Sequence, residues 1–344
     1  MPLGSNPPQF ATWLDALNRL GVPADSPAPR RVLFVSAMAH WVDFCLPVAI
    51  ALAGRGYSLD YVWLPYRRME VHDVNAAVHP APAPLLRRLL PSVAVHPRLR
   101  LINLRHVPPG RHTLEMQRLA EEGGAYDARY LLRRECIDFE NEHEARVLAA
   151  FRTARNLDCA RRLQRLLRRE RYDSVLVPNG AVFEFAMAYQ LARRAGIDCV
   201  TFDFGERKGT IIASRNQLTV HQHTDHLWKA DEPHVLTPKR EARVMDLFRR
   251  REVPNWDERG YTWHGQLASL SPVEEILSSL GFSASKPTAL LCTNVAHDTA
   301  VLGRTRAFGS MAEWIRETVR WFACRPDWQL VIRCHPVEAQ LPSG

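Results

Sequence analysis

The stretch RVLFVSAMAHWVDFCLPVAIALAGRGYSLDYVWLPY, residues 31–66, constrains the fold more than any other part of the chain. RVLFVSAM is a continuous apolar and β-branched run, the mark of a strand buried on both faces. HWVDFCLPVAIALAGRGY continues as a helix closed by glycine, and LDYVWLPY reads as the next strand. A connection of that length pairs its two strands in parallel. Residues 32–54 are apolar enough to suggest a membrane span, but His40, Asp43 and Pro47 stand near the middle. A central Asp costs about 2.5–3.5 kcal/mol in a bilayer, so strand, polar loop and helix is the better account.

The same order returns downstream. YDSVLVPNG is a strand ending in a Pro-Asn-Gly turn, FEFAMAYQLARRAGI a helix closed by Gly196, and DCVTFDFGERKGT a strand running into polar residues. A strand at RLRLINL lies within the Pro- and His-rich stretch 74–125, read as irregular apart from it and a short LLRRLL helix. From Tyr126 to Glu170 the pattern is helical. After Lys286-Pro287 a new unit starts: TALLCTN as strand, SMAEWIRETVRWFACRP as helix, WQLVIRCHP as strand. The expectation is an α/β protein with two Rossmann-like doubly wound domains, the second incomplete. Its parts are an N-terminal helix and linker (1–29), a first domain (30–234), a linker or crossover (235–286) and the start of a second domain (287–344).

Composition is that of a globular chain, with 46% hydrophobic and 24% charged residues. The net charge of +8 permits an anionic partner such as a nucleotide-linked substrate, an acidic polymer or an anionic membrane surface. Seven cysteines are scattered without a CxxC pair, as expected of thiols in a reducing compartment. The N-terminus MPLGSNPPQF has no basic-then-apolar signal, and the expected location is cytoplasmic. The Arg-rich helix CARRLQRLLRRERYD puts Leu163, Leu166 and Leu167 on one face. It reads as a scaffold helix with a wet basic face, or as one that binds acidic lipid.

In open α/β sheets, ligands bind beyond the carboxyl ends of the strands. Five polar clusters fall there. AMAHWVDF carries His40 and Asp43, which serve acid-base chemistry or cap the following helix. No GxGxxG is present in that loop, so no dinucleotide cofactor is indicated. VPNGAVFE places Asn179-Gly180 in a tight turn before a helix whose N-terminal N–H groups are free to bind a ligand. FDFGERKGTIIASRN crowds Asp203, Glu206, Arg207 and Lys208 around two glycines, where a Glu can act as base and the cations can hold an anion. CTNVAHDTAVLGRTRAFGS offers Asn294, His297 and Asp298 ahead of Arg304 and Arg306. VIRCHPVEAQ offers Arg333, His335 and Glu338. The last two clusters end adjacent strands of one βαβ unit, so both emerge on one sheet edge, as in an interdomain cleft. The histidines of VHQHTDHLW invite a metal reading, but a second ligand group is lacking and no metal site is expected.

LVIRCHPVE resembles the strand–HPxE segment of bacterial capsular and surface polysaccharide biosynthesis glycosyltransferases of the GT-B type. TNVAHDTAVLG looks like the N-x-x-x-D segment opening their second domain, and FGERKGTIIASRN is similar to their Gly- and Glu-containing stretch before S-x-N. The resemblance spans residues 30–340 through short motifs. It implies two Rossmann-like domains, an acceptor side first and a donor side second, and a metal-independent transferase without cofactor whose nucleotide-sugar is a substrate. Asn294, His297, Asp298, Arg333, His335 and Glu338 would meet the donor. Glu206, Asp43 or His40 would do the acid-base work, and Arg207, Lys208 and Asn179 would meet the acceptor or an anion. The implied partners are the donor and a polysaccharide or glycolipid acceptor, with peripheral contact at the inner membrane and no nucleic acid. Such enzymes continue well beyond HPxE, so the second domain is expected to be truncated at Gly344. A sugar-nucleotide epimerase of the same fold and a non-catalytic basic docking module are the rival readings.

Overall fold

In a computed structural model, the protein is described over residues 30–36, 39–64, 98–205, 210–225, 228–229, 236–252, 271–283, 285–335 and 338. The side chains of 39, 40, 42, 43, 247 and 250–252 are outside that description. The chain divides into two compact units, one of Met1–Leu132, Ile137–Asp203 and Ile211–Gln222, the other of Arg133–Cys136, Phe204–Thr210 and His223–Gly344. The expected crossover at 235–286 therefore groups with the second unit.

The first unit is a mixed α/β body around a six-stranded sheet. Its strands are β1 (Arg31–Ser36), β2 (Ser58–Trp63), β3 (Leu99–Asn103), β4 (Ser174–Pro178), β5 (Asp198–Phe204) and β6 (Ile211–Arg215), in the order β3-β2-β1-β4-β5-β6. β1 pairs in parallel with β2 and β4, β2 with β3, and β4 with β5. β6 runs the other way: Asn216, just past its end, donates its N–H to the carbonyl of Cys199 at the start of β5 (2.6 Å). IIASR is thus the returning arm of a hairpin. The strand order reverses between β1 and β4, the position at which Rossmann-like sheets open a crevice.

The unbroken apolar run of β1 serves two cores. Val32 and Phe34 point to one face, packing with Cys45, Leu46, Ala49 and Ile50 of helix α1 (Ala39–Gly54) and with Tyr61 and Phe202. Leu33 and Val35 point to the other, against helices α2 (Leu114–Leu131), α3 (His143–Arg169) and α4 (Phe183–Arg194). Side chains alternate across a strand, so a strand with helices on both faces must be apolar throughout. Phe34 lies 5.4 Å from Tyr61 and 5.6 Å from Phe202, ring centre to ring centre, and each such fully buried ring is worth about 1.5–3 kcal/mol.

The helical pattern expected from Tyr126 to Glu170 is two helices with a break at 132–142, and the first begins at Leu114. Gly123-Gly124, a breaker pair by composition, lies inside α2. A Cβ on Gly124 would collide with Thr153 Oγ1 and stand 2.7 Å from the Ala149 carbonyl oxygen, both on α3. The glycines let two helix backbones approach closely, which offsets their cost of about 1 kcal/mol each in helix propensity. The Arg-rich stretch up to Arg169 is the C-terminal part of α3 and packs on the core: Leu163 and Leu166 are buried, and Arg161 and Arg162 donate to the carbonyls of Gly110 and Val107. Among the described residues no helix is long and apolar enough to cross a membrane.

The second unit contains helix α5 (Pro238–Glu252), the short α6 (Val273–Ser279), strand β7 (Thr288–Cys292), helix α7 (Met311–Ala323) and strand β8 (Gln329–Arg333). β7 and β8 pair in parallel, Thr288 with Gln329 through Cys292 with Arg333, as the strand–helix–strand order requires.

Candidate functional site

The carboxyl edge of β4 turns through Asn179, Gly180, Ala181 and Val182 into α4. Asn179 (φ 56°), Gly180 (φ 81°) and Phe183 (φ 57°) all adopt the left-handed region, costly for Phe, so the loop is held by its surroundings. Asn179 Oδ1 accepts from the Ala181 N–H (2.9 Å), and its Nδ2 donates to Asp203 (3.1 Å). The first N–H of α4, on Phe183, donates to Asp127 Oδ1 on α2 (2.8 Å). The helix N-terminus that the sequence offered to a ligand is occupied by an internal carboxylate, so at this loop the polar groups build the turn.

Behind Asp127 lies a buried ionic network. Arg152 of α3 is 0% exposed, donating from Nε to Asp127 (3.1 Å) and from Nη2 to Glu184 (3.0 Å) and Asn156 (3.2 Å). Asn156 Nδ2 also donates to Asp127 (2.9 Å), and Arg155 pairs with Glu184 at 2.9 Å. The guanidinium of Arg152 stacks 4.7 Å over the Phe183 ring, which pins the strained residue. Burial alone pushes both carboxyls up. For Glu184 the neighbouring Arg152 and Arg155 outweigh it and hold the group well below the usual carboxylate range. For Asp127 burial wins despite Arg152, and the group is raised. Sequence reasoning missed this network, yet a signal was there. Along α3 the buried positions run Leu148, Arg152, Arg155, Asn156, Cys159, Leu163, Leu166, so Arg and Asn occupy the stripe where aliphatics belong.

The remaining candidates of the expected first domain, residues 30–234, are placed as follows. His40 and Asp43 lie in the first turns of α1, directly beyond the β1 edge, as backbone positions only. Glu206, Arg207 and Lys208 fall outside the described residues. His221 lies in a short 3-10 turn and His223 and Asp225 are exposed, while His226 is outside the description.

In the second unit the two expected loops do lie side by side. Ala296 N–H donates to Glu338 Oε1 (3.1 Å), and His335 N–H donates to Thr293 Oγ1 (3.2 Å). Thr293 N–H in turn meets the Arg333 carbonyl (3.0 Å), extending the β7–β8 ladder into the loops. Asp298 forms its own turn, accepting from the Ala300 N–H (2.7 Å). Burial, with Arg133 nearby, lowers the His297 imidazole below its ordinary range, and Glu338 and Asp298 oppose that only in part. Asn294, Asp298 and Arg333 are exposed, and His297, His335 and Glu338 half-buried.

Beside these loops is an open pocket of about 260 Å³, lined by Asn294, Arg304, Arg306, Phe308, Met311 and Trp314, among others. It abuts the N-terminus of α7, which is internally capped. Ser310 Oγ accepts from the Glu313 N–H (3.0 Å), and Glu313 reaches back to accept from the Gly309 N–H (2.6 Å), one residue before the N-cap. The next N–H, on Met311, donates to Glu135 (2.8 Å). Two exposed guanidiniums against a Trp and a Phe make a surface suited to an anion that carries a ring.

Compared with known proteins, the chain matches no family model and no curated protein.

Proposed function

We propose that the chain is a glycosyltransferase of the GT-B type that moves a sugar from a nucleotide-activated donor to a capsular or other surface polysaccharide or glycolipid acceptor. The observation that carries this reading is the junction of the NVAHD and HPVE loops through the Ala296–Glu338 and His335–Thr293 hydrogen bonds, beside a pocket bearing Arg304 and Arg306. A nucleoside phosphate matches that pocket in chemistry: guanidiniums for phosphate oxygens, and Trp314 and Phe308 for the ring. The reading brings with it a two-domain arrangement in which Asn294, His297, Asp298, Arg333, His335 and Glu338 serve the donor side.

In a metal-independent transfer, the acceptor hydroxyl loses its proton to a carboxylate as its oxygen bonds the anomeric carbon. The bond from that carbon to the donor phosphate breaks, and the phosphate leaves as an anion stabilised by fixed positive groups. Glu206 or Asp43 is assigned the base and His40 a supporting acid-base role. Arg207 and Lys208 are assigned the acceptor, and Arg304, Arg306 and Arg333 the departing phosphate.

The test is incubation with a panel of nucleotide-sugars, following nucleotide release and sugar products by mass spectrometry. Turnover is expected, with His335→Ala and Glu338→Ala each lowering it by about 10²-fold or more. Unchanged turnover in both variants removes them from the site. An isomerised nucleotide-sugar with no transfer or hydrolysis would make the protein an epimerase instead.

A further inference from the structure

The first unit holds a cavity at the end of its sheet opposite the β4 turn. α3 leads directly into the start of β4, and α4 into the start of β5. The ends of these helices therefore stand at the amino ends of the strands, away from the carboxyl edge where α/β sheets build their main sites. There the last turns of α3 and α4 meet the first turns of α2 around a pocket of about 330 Å³, a volume typical of small-ligand sites. Its floor is Met116, Leu119, Leu167 and Leu191; three of these are buried and Leu167 half-buried. Met116 and Leu191 belong to the main core, so the pocket opens directly onto it. Glu115, Arg168, Arg194 and Ala195 line the pocket as exposed residues and form its rim.

This chemistry selects the ligand. The apolar lining is aliphatic throughout, unlike the pocket at Arg304 with its Trp314 and Phe308, so it suits a flexible chain and not a ring. The rim carries two guanidiniums against one carboxylate, and it includes the first turn of α2, where the helix dipole favours an anion. Arg168 and Arg194 stand in the last turns of α3 and α4, where they offset the opposite dipoles of those ends. Glu115 marks where an anion sits, because its Oε1 accepts from Arg194 Nε (2.7 Å). That pair is largely exposed, so it exchanges for another carboxylate at little cost. We propose that this pocket binds a medium-chain aliphatic carboxylate, its chain on the Leu and Met floor and its head between Arg168 and Arg194. The inference goes beyond the transfer reaction and does not rest on it.

The experiment is calorimetric titration of the whole chain with hexanoate, octanoate and decanoate, against octan-1-ol and octyltrimethylammonium. Affinity is expected to rise about 3–4-fold for each methylene added, as burial of a growing chain requires. Octan-1-ol and octyltrimethylammonium are expected to bind at least ~10-fold more weakly than octanoate, and Arg168→Ala with Arg194→Ala to lower octanoate affinity by as much. Glu115→Gln, which frees Arg194, is expected to raise it. Ala195→Trp fills the pocket from its exposed rim and is expected to abolish binding, with the melting temperature confirming that the fold is kept. No saturable binding of decanoate, equal affinity for octan-1-ol and octanoate, or binding indifferent to Ala195→Trp would overturn the proposal. Nucleoside diphosphate binding is expected to be the same in Ala195→Trp as in the unaltered chain, so this site and the β7–β8 edge are tested separately.

Discussion

The carboxyl edges of the two parallel strand sets carry comparable polar residues and use them differently. At the β4 edge, Asp127, Arg152, Asn156 and Glu184 bond to one another, Asp127 also accepts from the Phe183 N–H, Asn179 bonds to the Ala181 N–H and Asp203, and Arg152 and Glu184 are fully buried. At the β7–β8 edge, hydrogen bonds tie the two loops together through backbone N–H groups, leaving Asn294, Asp298, Arg304 and Arg306 exposed around an open pocket. Charges removed from water must be paired, and here the pairs hold one another in place even though Arg152 Nη1 has no hydrogen-bond partner among the described residues. Charges left at a rim keep their hydration and remain open to exchange for a ligand. Position at a strand end therefore marks where a site can be built, and the pairing of the polar groups tells whether one was.

This contrast breaks most sharply at Arg152. Arg152→Met leaves Asp127 and Glu184 buried with their main counter-charge gone, and a loss of about 3–5 kcal/mol in unfolding free energy is expected by chemical denaturation. A change under about 1 kcal/mol would mean that the network is not what holds this edge. Next in size is Gly180→Ala. The residue sits at φ 81°, and a Cβ there would stand 2.8 Å from Thr201 Cγ2 and 3.0 Å from Leu218 Cδ2. Strain and overlap together are expected to cost about 1–3 kcal/mol, read as a fall in melting temperature. A neutral substitution would show a loop free to relax, and the two edges would then differ less than their geometry indicates.

Much of the architecture was legible because it follows from continuous apolar runs. β1, β2, β4, β5, β7 and β8 all lie where such runs end in polar turns, and the parallel β7–β8 pair was implied by the helix between its strands. Two features were hidden because composition points the wrong way. Gly123-Gly124 reads as a break, but the close contact with Ala149 and Thr153 that demands glycine exists only once α3 is packed. Arg152 reads as part of a solvated helix face, and only its place in the stripe beside Leu148 and Cys159 shows that it faces inward. The adjacency of the NVAHD and HPVE loops was legible, since parallel neighbours must release their carboxyl ends together. The pocket at Arg304 and Arg306 was not, since it depends on how the loop 293–310 folds over the start of α7.

The most direct test of the claim that the β7–β8 edge is the ligand edge is calorimetric titration with nucleoside mono- and diphosphates. Three proteins are compared: the unaltered chain, Arg304→Ala with Arg306→Ala, and Asp127→Asn. The account predicts that the unaltered chain binds, that the double arginine variant binds at least ~10-fold more weakly, and that Asp127→Asn is less stable but binds as the unaltered chain does. Equal affinity in the unaltered chain and the arginine variant would contradict it.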